Sequence, residues 1–247
     1  MNFVKNTLVS LTCISIATAS CAKTQLTEGY VLPSDKPVTI IILRPDVKVG
    51  SLTTGGVEEP NADWTATSRT NLAKALEANQ KAAGNSVKPL ADQIGDNAKV
   101  VDDYQNLFHA VSNAVLVHKY LPGGKLPTKK DKFDWTLGPG ASKLGDVGGG
   151  NYALLLYSHD SFGSSGRKAM QAAGLLGCAI GFCMIVSGGI HFYYASLVDL
   201  QSGNIVWFNY LKSSAGDIRT VEGSQQLVDS LLSTMPKRAE PASAPKK

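Results

Sequence analysis

From residue 169 to residue 198 the chain carries no aspartate, glutamate, lysine or arginine, and this stretch limits the folds open to it more than any other feature. A run of that length must leave water or lie against something apolar. Residues 191–200, which begin in its last part, alternate as a strand does. Gln201-Ser202-Gly203-Asn204 is a turn signal, and Ile205-Val206-Trp207-Phe208-Asn209-Tyr210 completes an expected β-hairpin. The earlier part is glycine-rich and does not alternate. About twenty apolar residues suffice to cross a bilayer, and Gly177 and Gly181 have the G-x-x-x-G spacing that lets two helices approach. Glycine and serine weaken a helix in water, however. A span would also put its two flanks on opposite sides of the membrane, whereas the strand at residue 191 must join the sheet. The reading is a hydrophobic helix or hairpin packed on the domain or against a partner, with a membrane-inserting element as its rival. Leu175, Leu176, Gly177, Ile180, Gly181, Phe182 and Ile185 would carry either role.

The remaining pattern supplies a sheet for that hairpin to join. Thr39-Ile40-Ile41-Ile42-Leu43 is a continuous apolar run, suited to a strand buried on both faces. Arg44-Pro45-Asp46 interrupts it, and Val47-Lys48-Val49 resumes alternation. Residues 86–90 form a second expected strand and residues 152–157 a third. Asn61 caps a helix in which Trp64, Ser68, Leu72, Ala75 and Leu76 recur at helical spacing. A longer amphipathic helix from about residue 96 to residue 120 carries Val100, Tyr104, Phe108, Val111 and Val115 on one stripe. The last, over residues 221–235, presents Leu227, Val228, Leu231 and Leu232. The order implies an α+β fold: a single mixed sheet flanked by helices, spanning residues 38–236 with an insertion at 169–190. Residues 237–247, rich in Pro, Ala, Ser and Lys, read as a disordered tail.

The first residues form an export signal. Lys5 precedes a short apolar run over residues 8–19, and small residues lead to Cys21. This resembles a lipobox, whose cysteine receives a diacylglycerol, although Thr18 stands where an aliphatic residue is usual. Ordinary signal-peptidase cleavage near Ala19 or Ala22 is the alternative, giving a secreted or periplasmic soluble protein. Residues 22–37 read as a tether. Ala22 is not the aspartate that favours inner-membrane retention, so the outer membrane is the expected location.

Composition excludes some chemistries. The net charge of +4 is small and is inflated by Lys237, Arg238, Lys246 and Lys247, so nucleic acid is not an expected partner. Of four cysteines, Cys13 and Cys21 belong to the signal. Cys178 and Cys183 make no zinc site and read as small buried hydrophobes, with one bridge open to them unless a continuous helix holds both. His109, His118 and His191 have no metal-binding spacing, and no cofactor is expected. Ser158-His159-Asp160 has the residue types of a hydrolase triad, but consecutive strand residues point to opposite faces. Gly163-Ser164-Ser165-Gly166-Arg167-Lys168 lacks the length and placement of a phosphate-binding loop.

Three segments carry a resemblance: Ala62-Asp63-Trp64-Thr65, Tyr157-Ser158-His159-Asp160-Ser161 with Gly166-Arg167, and residues 197–209 continuing to Gly216-Asp217-Ile218-Arg219. Together the chain resembles uncharacterised bacterial envelope lipoproteins with a TolB amino-terminal, CsgG-like α/β domain. The motif positions are Trp64, Arg167, Asp199, Gly203, Trp207, Asp217 and Arg219. The resemblance implies a non-enzymatic, outer-membrane-anchored periplasmic lipoprotein that acts as a binding or assembly module. Its partners would be envelope proteins and the bilayer reached through acylated Cys21, with self-assembly left open. Two other classes remain: a membrane-inserting oligomer using residues 169–189, and an envelope hydrolase using Ser158 or Ser161.

Overall fold

The computed structural model describes residues 24–28, 30–33, 38–129, 132–178 and 181–238. The export signal, Cys21, Ile180 and the tail beyond residue 238 lie outside these. In chain order the elements are β1 (Gln25–Leu26), β2 (Thr39–Ile42), β3 (Asp46–Leu52), β4 (Glu58–Pro60), α1 (Ala62–Ala82), β5 (Ser86–Pro89) and α2 (Gly95–Val115). Then come α3 (Ser142–Gly148), β6 (Tyr152–Gly163), α4 (Ser165–Cys178), β7 (His191–Asp199), β8 (Ile205–Leu211) and α5 (Val221–Leu232).

The expected mixed sheet with flanking helices is what forms. Its strand order is β1-β8-β7-β6-β2-β5, with β3 on β6 and β4 on β3. Strand β6 is long because it has two successive partners on one side. Residues from Tyr152 to Leu154 pair in parallel with β2, and those from Tyr157 onward with β3. The gap falls at Arg44-Pro45, where proline has no N–H for a ladder. On its other side β6 runs antiparallel to β7, and β7 to β8.

Alternation along the strands separates two apolar layers. Ile40, Leu154, Tyr193 and Trp207 meet Leu72 and Leu76 of α1 and Leu227 and Leu231 of α5. Ile41, Leu155, Tyr194 and Phe208 meet Phe108 of α2 and Leu144 of α3. The expected cap is present, with Asn61 accepting from Trp64 N at 2.9 Å. Thr220 caps α5 in the same way through Gly223 N.

The expected tether is corrected by the sheet edge. Gln25 and Leu26 pair with Phe208 and Trp207, Tyr30 donates to the Tyr152 hydroxyl at 2.6 Å, and Leu32 is buried. An uncovered edge on β8 would leave backbone groups open to water, and this short strand pairs with that edge at Trp207 and Phe208. At the other end, Arg238 bridges to Leu32, so the ordered part of the chain runs slightly past residue 236.

Candidate functional site

Strands β6 and β7 are antiparallel neighbours, with Asp160 opposite His191. A short turn would connect them, yet the chain leaves the sheet after Gly163 and rejoins it at His191. The excursion is an arm. Helix α4 runs outward, and the segment from Gly181 to Ile190 returns beside it. Glycine makes this close approach workable: a Cβ on Gly174 would lie 2.2 Å from the Met184 carbonyl oxygen, and one on Gly177 would lie 2.2 Å from that of Phe182. Phe182 N donates to Gly177 O at 2.9 Å, and Gln171 Nε2 to Val186 O at 3.1 Å. A Cys178–Cys183 disulfide closes the tip.

The root of the arm is held by buried polar contacts. Arg167 donates through Nε to Ser187 O and through Nη2 to Ser187 Oγ, both at 2.8 Å, and through Nη1 to Thr53 O at 3.2 Å. Its side chain therefore ties α4 both to the return segment and to the end of β3. Ile190 N donates to Ser161 Oγ at 2.7 Å. A Cβ on Gly189 would lie 1.9 Å from Ser161 O, so no larger residue fits that crossing.

Beyond the root almost nothing is buried. Helix α4 buries only Arg167 and Gly174. Leu175 is 74% exposed, Leu176 73%, Phe182 74% and Ile185 94%. Two expectations change accordingly. Beyond its root the insertion does not pack on the domain, which leaves the expected alternative of packing against a partner. Helix α4 has 14 residues, and among the described residues no helix is long and apolar enough to cross a membrane, in line with the reading that the stretch does not span. The cysteines are exposed and bridged, because the helix stops at Cys178 and leaves Cys183 free to fold back. The two glycines at G-x-x-x-G spacing also part company. Gly177 contacts the return segment, while Gly181 sits in a turn at φ +86°.

The motif positions fall into two groups. Near the root, Arg219 binds Asp217 through Nε and Nη2 at 2.9 and 2.6 Å, which holds the Asp217 carboxyl below the usual range. The same guanidinium lies 4.5 Å from the Trp64 ring centroid and 3.6 Å from that of Phe162. At the opposite end of the sheet, Asp199 Oδ1 accepts from Gln201 N and Ser202 N in the hairpin turn. Gly203 is at φ +75°, where a Cβ would lie 1.9 Å from Gly138 O, and Trp207 is wholly buried. These residues build the sheet and do not converge on one site.

Ser158, His159 and Asp160 also diverge. His159 Nε2 contacts Glu58 Oε1 at 2.9 Å, whereas Asp160 turns to the other face, where it meets His191 Nδ1 and accepts from the Tyr193 hydroxyl at 2.8 Å. Ser158 and Ser161 are fully buried. No sequence spacing marks the Asp160–His191–Tyr193 cluster, since only the β6–β7 register brings those residues together. Burial and the neighbouring Asp160 push the Tyr193 hydroxyl well above its ordinary range.

A cleft of about 640 Å³ opens where β2 gives way to β3, lined by Arg44, Asp46, Arg69, Asp92, Gln105 and His109. Its cations already have partners. Arg44 pairs with Asp92 at 3.3 Å, and Arg69 donates to the carbonyls of Pro45 and Val47. His109 lies 2.7 Å from Asp46 and lowers the pKa of that carboxyl. No group of three potential metal ligands occurs among the described residues.

The sequence matches no family model and no curated protein. Solved structures to which the chain is similar include the PelC dodecamer from Paraburkholderia phytofirmans, with a TM-score of 0.40 and 11% identity, covering 88% of this chain and 99% of that one. Another is the lipoprotein GNA1162 from Neisseria meningitidis, with a TM-score of 0.31 and 17% identity, covering 70% and 80%. Likeness at this level carries no functional argument.

Proposed function

We propose that this chain is a lipid-anchored protein of the bacterial envelope, held at the periplasmic side of the outer membrane by Cys21. It acts by binding rather than by turning over a substrate. The observation that carries this reading is the arm, which holds apolar side chains away from the domain on a backbone braced by glycine contacts, a disulfide and Arg167. A folded protein rarely keeps such a group exposed unless something covers it. The bridge between Cys178 and Cys183 suits an oxidising compartment such as the periplasm. The serines of the hydrolase alternative, Ser158 and Ser161, are buried on a strand, which supports binding over turnover.

The test is a photo-crosslinking amino acid placed at Leu176 on the arm or at exposed Val57 on the body, in intact envelopes. Adducts concentrated at residue 176 are the expected result. Adducts from residue 57 alone would move the contact surface to the body. Incorporation of labelled palmitate, lost in a Cys21→Ser variant, tests the anchor separately.

A further inference from the structure

We infer that the tip of the arm inserts into the same membrane leaflet that holds the acyl chains of Cys21, giving the domain a second, shallow hold on the bilayer. This names the partner of the arm and rests on Cys21 being the anchor. The first support is direction. Arm and anchor leave from one end of the sheet: β7 begins at His191, and β8 ends opposite it, with Leu211 paired to Tyr193. Strand β1 is antiparallel to β8, with Gln25 on Phe208 and Leu26 on Trp207. Followed backwards from Gln25, the strand direction therefore points toward that same end.

The second support is length. Only residues 22–24 separate Cys21 from Gln25, so the anchor reaches at most about 14 Å from the strand. With so short a link, the bilayer surface lies close to this end of the domain. Helix α4 rises about 21 Å, enough to carry its tip into a leaflet whose hydrocarbon is about 15 Å thick.

The third support is chemistry. No charge lies between residues 169 and 198, and Leu175, Leu176, Phe182, Met184 and Ile185 are exposed at or near the tip. Entry is nevertheless limited in depth. The return segment forms no strand ladder, and its backbone bonds to α4 are few. Unpaired peptide groups are not tolerated deep in hydrocarbon. The tip thus sits at the boundary between headgroups and acyl chains and does not span. This geometry also favours lipid over a second copy of the chain, because lipid surrounds a narrow projection on every side.

The experiment uses the chain from residue 22 onward, which contains every described residue and lacks the signal. An Ile185→Trp variant is mixed with vesicles of phosphatidylethanolamine and phosphatidylglycerol at about 3:1, with the unsubstituted chain as the spectral reference. The expected result is a blue-shifted difference emission, quenched more by bromines near the headgroup than by those at the chain ends. A Leu176→Glu/Phe182→Glu variant should bind vesicles at least about tenfold more weakly while keeping its melting temperature, since both side chains are exposed. Unshifted emission, or unchanged binding by the double variant, overturns the insertion. So does a solution oligomer that the double variant dissolves without any vesicle binding, which would make a second copy the occupant. Palmitate labelling in cells separates the two readings: its absence alongside vesicle binding by the arm removes the anchor and the shared leaflet but leaves the insertion.

Discussion

Strand β7, as far as Val198, and the arm that precedes it share one uncharged stretch, yet they reach opposite environments. Every residue of β8 is buried, and β7 is buried through most of its length. The arm leaves its largest apolar side chains in the open. Hydrophobicity alone therefore does not decide burial here. The hairpin has aromatic and β-branched residues that fill the two layers on either side of a pleated sheet. The arm has glycines at 174 and 177, which fit one backbone against another, and beyond Arg167 helix α4 buries only Gly174.

The largest effect that would test this contrast lies in the hairpin. Trp207 is wholly enclosed between the sheet, α5 and β1, and its indole Nε1 donates to Thr234 Oγ1. A Trp207→Ala variant should lose about 3–5 kcal/mol of stability, read as a lower midpoint in urea. A loss below about 1 kcal/mol would mean that the hairpin is not the packed half of the comparison.

The next effect comes from the boundary between the regions. Asp160 holds His191, the first residue of β7, and the Tyr193 hydroxyl. Asp160→Ala leaves that buried hydroxyl without its acceptor, at a cost of about 1–3 kcal/mol. If the boundary belongs to the body, the loss will appear in global unfolding. If it belongs to the arm, hydrogen exchange will rise only around residues 187–192, with the midpoint unchanged.

Much of this division was legible in the sequence, and its limits have physical causes. Periodicity found the main strands and helices because each packs a face against the sheet, and the period records that face. The break at Arg44-Pro45 was legible because proline cannot serve a ladder. The pairing of Gln25 and Leu26 was not, because β1 is too short to show a period and joins the sheet through the edge of β8. The bridge between Cys178 and Cys183 depended on where α4 stops, and glycine-rich sequence marks that point poorly. The exposure of the arm was hidden for a deeper reason: an apolar residue reads alike whether its cover comes from the same chain or from outside it.

A smaller effect probes the body beside the root of the arm. Arg219 lowers the pKa of Asp217, and Lys168 of α4 adds to the attraction. A carboxylate lowered in this way contributes stability that is present above its unfolded value of about 3.9 and lost as pH falls through the folded value. Because both partners are partly exposed, screening keeps the contribution below about 1 kcal/mol. Asp217→Asn should therefore lower stability slightly at neutral pH and flatten the decline below about pH 4. Some decline will persist through Asp46, which His109 lowers in the same direction. An unchanged acid profile would show that the Asp217–Arg219 pair adds nothing to the body.

The smallest expected change is the most direct attack on the comparison. Ile185 is 94% exposed, so replacing it with serine removes almost no contact within the protein and relieves water of an apolar surface. Surface substitutions of this kind fall within about 0.5 kcal/mol. Ile185→Ser should leave the urea midpoint of the isolated chain unchanged or slightly raised, although a buried isoleucine would cost several times more. A loss above about 1 kcal/mol would mean that the arm folds down onto the domain in solution. Its apolar side chains would then be covered by the chain itself, and the same stretch of sequence would be serving one environment instead of two.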